Sequence, residues 1–163
     1  MVNATLDHSR NNTLKTKVEG WVKDLELLSK YAQDDPKATY SAFTKGLCSR
    51  WTHFQRTVPD MSELFEPLEN AIRDQFISAL VGREVSEAER QIIALPLRHG
   101  GLGLTDPRET ANTEYKHSIQ ITDKLTTKIY TQTTPQISYI PHTRKTEYDK
   151  RRTQNAKAAA MNY

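Results

Sequence analysis

The chain has 163 residues, which is enough for one domain with a moderate hydrophobic core. Its hydrophobic share of 36% and its mean hydropathy of −0.72 describe a polar chain. No stretch reaches the roughly 18 apolar residues of a membrane-spanning helix, and the start lacks the apolar segment of a secretory signal. The single cysteine, Cys48, cannot form an internal disulfide. Together these features predict an intracellular protein of the nucleus or cytoplasm.

The net charge of +3 is unevenly distributed along the chain. Residues 141–163 contain six basic and two acidic side chains, a balance of +4, so the other residues sum to −1. A basic tail of this kind binds nucleic acid or another acidic surface, or is simply a solvated charged terminus. We predict a disordered N-terminus over residues 1–12, a helical domain over 13–134, and a basic, partly helical or disordered tail over 135–163.

Apolar side chains recur at helical spacing through the first part of the chain. One series predicts an amphipathic helix that ends near Gln33, and its members are Leu14, Val18, Trp21, Val22, Leu25, Leu28 and Tyr31. Asp35 and Pro36 then fit the N-cap and the first position of a second helix. That helix runs to about Val58, just before Pro59, and its apolar members are Tyr40, Phe43, Leu47, Trp51 and Phe54.

A third helical series lies between Pro59 and Gly82. Its apolar members are Leu64, Leu68, Ile72, Phe76, Ile77 and Leu80. Asp60 with Glu63 three residues later resembles a capping box, which predicts a helix start at Asp60. Pro67 lies inside the series, and it either kinks the helix or marks its true start.

Two further helices are predicted after Gly82. Ser86 and Glu89 form a capping-box pattern ahead of a short helix that ends before Pro96. Asp106 and Pro107 start the last helix as its N-cap and first residue. The apolar positions of that helix are sparse, which predicts a lightly buried face, and they are Tyr115, Ile119, Ile121, Leu125 and Ile129.

The segment Leu95–Pro107, LPLRHGGLGLTDP, connects the last two helices. Gly100, Gly101 and Gly103 favour backbone that needs a positive φ or a very close approach, and the leucines between and after them can be buried. The segment is therefore expected to be a shaped connector. The chain as a whole predicts an all-α fold, an irregular bundle of about five helices with a glycine-rich connector and disordered termini.

No arrangement of side chains in the sequence predicts an enzyme or a cofactor site. Tyr31, Asp34 and Asp35 resemble the Tyr-x-Asp-Asp metal motif of polymerases, but with one residue too many and without flanking strand patterns. We prefer helix capping at Asp35. The five histidines lack the spacing of a helical metal site, and Cys48 has no base on its helical face.

The segment Lys45–Arg56 mixes basic and aromatic side chains. Trp51 and Phe54 extend the apolar series, so we expect them in the core. The basic or titratable side chains that fall off this series are Lys45, Arg50, His53 and Arg56. Such a face follows the phosphates of a nucleic acid or is simply solvated, and the sequence leaves both interpretations open.

Five stretches follow one another along the chain, and together they form an ordered set: Trp21–Ser29 (WVKDLELLS), Tyr40–Leu47 (YSAFTKGL), Arg50–Thr57 (RWTHFQRT), Glu66–Ile72 (EPLENAI) and Leu95–Gly103 (LPLRHGGLG). In this order they resemble the region C-terminal to the reverse transcriptase palm in retroelement proteins of invertebrate animal genomes. The resemblance covers about residues 18–130. The ordered set is specific, although each stretch alone is a weak marker.

This resemblance implies a thumb or post-thumb helical region, which packs against the palm and holds the primer–template duplex by its backbone and minor groove. The metal-binding aspartates of that family belong to the palm, so the resemblance implies a non-catalytic segment without a cofactor. The implied partners are an RNA–DNA or DNA duplex and a reverse transcriptase palm domain. The candidate phosphate-binding residues are Lys45, Arg50, Arg56, Arg98, Lys150, Arg151 and Arg152.

Two alternative hypotheses remain open at this point. A thumb-like bundle that is separated from its palm exposes an apolar face, and such a face makes it a protein-interaction module. A degenerate retroelement reading frame would instead retain no activity.

Overall fold

In a computed structural model of the chain, the structure is described for residues 2–132 and for the single positions Lys150 and Gln154, with only the backbone described for 2–10 and Lys124. Every regular element within 2–132 is a helix, and together they form an irregular bundle of about five helical rods. The predicted all-α fold is therefore confirmed. The rest of the predicted tail over 135–163 lies outside the described residues.

Several of the rods contain more than one kind of helical turn. The α-helices are α1 (Val2–Tyr31), α2 (Pro36–Ala42), α3 (Ser49–Thr57), α4 (Glu66–Asn70), α5 (Ser78–Val81), α6 (Glu87–Ala94) and α7 (Pro107–Tyr130). The π-helical turns are Phe43–Leu47 and Ala71–Ile77, and the 3-10 turns are Ser62–Phe65 and Leu97–His99. Among these described helices, none combines the length and the apolar character needed to cross a membrane.

Helix α1 begins at Val2, within the segment 1–12 for which the polar composition predicts disorder. The apolar series from Leu14 onward packs on the core. Residues 2–19 contain neither proline nor glycine, so nothing in the sequence interrupts the backbone hydrogen bonding before that packed part. Helical backbone therefore extends into the polar segment.

Three of the predicted helix starts are confirmed by their capping bonds. The Asp35 carboxylate accepts a hydrogen bond from the Ala38 amide at 3.0 Å. Ser86 and Glu89 form a complete capping box at the start of α6. The Asp106 carboxylate accepts from the Arg108 amide at 2.7 Å and begins α7. Local sequence signals thus determine where these helices begin.

The predicted helix start at Asp60 is wrong. Asp60 has a φ of +52°, in the left-handed region that aspartate tolerates better than most residues, and it makes no cap. A 3-10 turn begins instead at Ser62, and α4 follows with Pro67 in its first turn. Pro67 therefore marks the start of an α-helix and does not kink one.

The core is built on aromatic contacts between distant parts of the chain. Trp21 of α1 lies 5.9 Å from Trp51 of α3 and 5.6 Å from Phe54, measured between ring centroids. Phe43 stacks on Phe76 at 4.5 Å and so joins the two π-helical turns. This aromatic cluster fixes α3 against α1, as the apolar series predicts for Trp51 and Phe54.

Helix α7 is packed over its first turns and exposed over its last ones. Pro107 and Ala111 are buried against the bundle. Ile121, Leu125 and Ile129 lie on the same side of the helix, four residues apart, and are 46%, 50% and 63% exposed. The prediction of a lightly buried last helix is confirmed.

Candidate nucleic-acid interface

The structure places the strongest cationic candidates in one continuous segment, residues 36–59, which we call the cationic stretch. It contains no aspartate or glutamate, and its lysines and arginines are Lys37, Lys45, Arg50 and Arg56. All four side chains are exposed. The stretch covers α2, the π-helical turn Phe43–Leu47 and α3, and it is therefore a positively charged and mostly helical surface.

Helix α3 presents its two arginines on the two flanks of an outward face. Trp51 and Gln55 are buried on the opposite side of the helix. Arg50 and Arg56 are six residues apart, and at 100° per residue their side chains leave the helix about 120° apart. The exposed His53 lies between them on the helix surface. The buried aromatic side chains thus hold a cationic face toward solvent.

Each of these arginines already has a carboxylate partner on a neighbouring helix. The Arg50 guanidinium lies 2.6 Å from the Asp24 carboxylate of α1. The Arg56 guanidinium donates to Glu114 of α7 at 2.9 Å. Both arginine side chains are nevertheless 57% exposed, so a ligand can reach them without any opening of the bundle.

Lys45 and Lys37 differ from the arginines in their surroundings. Lys45 lies on the π-helical turn and Lys37 in the first turn of α2, and both are exposed. Among the described residues, no carboxylate lies within ion-pair distance of either ammonium group. Their charge is therefore available to an anionic ligand. Lys37 was not among the predicted residues, because it lies eight residues before the segment that mixes basic and aromatic side chains.

The other predicted site residues lie apart from the cationic stretch or beyond the described part. Arg98 is exposed on the 3-10 turn Leu97–His99, where its guanidinium lies 3.2 Å from Nε2 of His99. Within the described residues, no hydrogen bond or ion pair joins Arg98 to the cationic stretch. Lys150 is exposed, and Arg151 and Arg152 lie outside the described residues.

The glycine connector is docked against the bundle by backbone contacts. Gly100 has a φ of +83° and ends the 3-10 turn. A Cβ atom on Gly101 would overlap the carbonyl oxygens of Leu95 and Ile92, so this position needs a residue without a side chain. The Tyr40 hydroxyl donates to the Leu102 carbonyl at 2.6 Å. The connector therefore holds Arg98 on a fixed turn.

A buried ion pair fastens the other end of the connector, and sequence reasoning missed it. Arg90 of α6 donates to both carboxylate oxygens of Glu69 at 2.7 Å and to the Leu104 carbonyl at 2.5 Å. Both charged side chains are almost completely buried. Burial raises the pKa of the Glu69 carboxyl, and the hydrogen bonds and charge of Arg90 oppose that rise. The sequence signal for this ion pair is that each helix carries a charged residue, Glu69 or Arg90, among its apolar positions.

The groups that resembled chemical sites have structural roles. Asp35 caps α2. The Cys48 thiol donates to the Thr44 carbonyl at 2.9 Å, and burial raises the pKa of that thiol, which disfavours the nucleophilic thiolate. Across the described residues, no three histidine, cysteine, aspartate or glutamate side chains come together as a metal site would require.

Comparisons of the chain with protein-family models, with curated proteins and with solved structures gave no match.

Proposed function

We propose that this chain is a non-catalytic helical region of a retrotransposon reverse transcriptase, and that it contributes binding to the backbone of an RNA–DNA primer–template duplex. The observation that carries the proposal is the cationic stretch, in which exposed cations occur over residues 36–59 without a single acidic residue. The order of the five stretches that resemble the post-palm region gives the polymerase context for this surface.

The proposed mechanism uses charge on a rigid support. Lys37 and Lys45 offer ammonium groups that have no carboxylate partner among the described residues. Arg50 and Arg56 offer planar guanidinium groups that match phosphate geometry. The aromatic cluster around Trp51 fixes the helix that carries the arginines. Contacts of this kind position a duplex without reading its sequence, which suits a region that must hold every primer–template.

The proposal is tested by the binding of a fluorescently labelled RNA–DNA hybrid, measured by anisotropy at about 50 mM and about 200 mM salt. We expect binding at low salt that weakens strongly at the higher salt. Arg50→Gln should weaken it, whereas Arg83→Gln should not. Arg83 is the matched control, because it is 58% exposed and paired with Glu89 but lies outside the cationic stretch. Absence of binding at low salt would contradict the proposal.

A second candidate function is supported by the exposed side of α7. Ile121, Leu125 and Ile129 continue the helix face that is buried over Pro107 and Ala111. If the bundle is a protein-interaction module, this face is where a palm domain of the same kind of polymerase would dock. Light scattering of the chain with a purified palm domain tests it, with Leu125→Gln as the disrupting variant. A degenerate reading frame without a retained role predicts neither complex.

A further inference from the structure

We propose that Asp24 and Glu114 compete with nucleic-acid phosphate for Arg50 and Arg56, and that they thereby set the affinity of the cationic stretch. This inference rests on the proposed function and concerns the regulation of the same site. The two carboxylates come from α1 and α7, the helices on either side of α3. Within the described residues, they are the acidic groups that form ion pairs with the cationic stretch. The stretch itself contains no acidic residue.

The Arg50–Asp24 pair has the geometry of an exchangeable contact. One Arg50 nitrogen, Nη1, lies 2.6 Å from one Asp24 oxygen, Oδ2, and both side chains remain about half exposed. A phosphate that approaches from solvent can therefore replace the carboxylate without moving α1 or α3. An exposed ion pair contributes little to stability, so the replacement costs little.

The Arg56–Glu114 pair is similar on the other flank of α3. Nε of Arg56 lies 2.9 Å from Glu114, whose side chain is 20% exposed, less than that of Asp24. The arginines are six residues apart, so along the helix axis they are separated by about 9 Å. Each arginine therefore contacts a different phosphate, and each carboxylate competes with that phosphate for its own arginine.

The test is a double-mutant cycle on the binding of the RNA–DNA hybrid at low salt. Asp24→Asn and Glu114→Gln should each tighten binding about two- to five-fold, which is the range that an exposed ion pair allows. In an Arg50→Gln background, Asp24→Asn should lose this effect, because no guanidinium remains to be released. Circular dichroism of each variant establishes that the helices are intact.

Matched controls separate the specific pairs from a general change in charge. Glu26→Gln on α1 and Asp123→Asn on α7 each remove one exposed negative charge from the same helices, away from the two arginines. If these controls tighten binding as much as Asp24→Asn and Glu114→Gln, the inference is overturned.

The outcomes also distinguish this inference from the proposed function. If Arg50→Gln weakens binding but Asp24→Asn and Glu114→Gln bind like the wild type, the competition is disproved and the proposed function stands. If neither the wild type nor any variant binds the hybrid at low salt, both fail.

Discussion

Arg90 connects three parts of the bundle through one buried side chain. It joins α6, α4 and the connector through bonds to Glu69 and the Leu104 carbonyl, and both ends of the ion pair are buried. Removal of one partner leaves the other as an uncompensated buried charge, which is costly. Replacement of both partners by apolar groups removes that cost.

We therefore expect Arg90→Met to lower the free energy of unfolding by about 3–5 kcal/mol. The double variant Arg90→Met with Glu69→Leu should recover a large part of that loss. Urea unfolding followed by circular dichroism measures both. A double variant that is less stable than the single one would show that the pair itself, and not the unpaired charge, dominates.

Glu89 connects stability to pH at the start of α6. The pKa of Glu89 is lowered from 4.5 to about 2. Its hydrogen bond with Arg83 is the main cause of this shift, and its hydrogen bonds with Ser86 contribute. Because the folded-state pKa is the lower one, the stabilisation is fully present above about pH 4.5 and is lost as the pH falls toward 2.

The Tm of the wild type should accordingly fall more steeply than that of Glu89→Gln between these pH values. The amide keeps the side-chain size but cannot change its charge in this range. Thermal unfolding followed by circular dichroism at several pH values makes the comparison. Parallel Tm curves for the two proteins would argue against a role for Glu89 in the acid sensitivity.

At the scale of the elements, the close docking of the connector requires a residue without a side chain at Gly101. Gly101→Ala would drive a Cβ into the Leu95 and Ile92 carbonyls, and overpacking of this kind costs about 1–3 kcal/mol. Gly46→Ala is the matched control, since nothing lies within 4 Å of its Cβ position. Because Gly46 lies in a helical turn, Gly46→Ala should raise the free energy of unfolding by up to about 1 kcal/mol.

Chemical denaturation of the two alanine variants beside the wild type measures these opposite changes in the free energy of unfolding. If Gly101→Ala is as stable as Gly46→Ala, the close docking of the connector is not a constraint on the fold.

The sequence predicted the elements where the signal is local and failed where it depends on distant contacts. The caps at Asp35, Ser86 and Asp106 were predictable, because a cap involves only neighbouring residues. Asp60 carries the same local pattern, but the chain turns there through a left-handed residue. The Arg90–Glu69 pair spans 21 positions, and only the packed bundle brings the two residues together.

The candidate interface was predictable to a similar degree. Residue types indicated Lys45, Arg50 and Arg56 as an exposed cationic group on a helix with an aromatic core side, and the structure places them so. The carboxylate partners of the arginines could not be predicted, because Asp24 and Glu114 lie 26 and 58 positions away. Arg98 was grouped with them by charge alone, and the structure has it on a 3-10 turn of the predicted connector.

At the scale of the whole molecule, α3 is held between α1 and α7 with its cationic face outward. Aromatic contacts to Trp21 fix one side of α3. From the same buried side of α3, the Gln55 amide donates to the Pro107 carbonyl of α7 at 2.8 Å. These contacts hold in place the helix that carries Arg50 and Arg56. We therefore expect their contributions to duplex binding to be shared across several phosphates and to depend on salt.

The central claim, that the cationic stretch contacts duplex phosphates, is tested most directly by the salt dependence of RNA–DNA hybrid affinity. The slope of log affinity against log salt is negative, and we predict that the triple variant Lys45→Gln, Arg50→Gln and Arg56→Gln reduces its magnitude by about 2–3, one unit or slightly less per lost phosphate contact. Arg83→Gln should keep the wild-type slope. Equal slopes for the wild type and the triple variant would contradict the account.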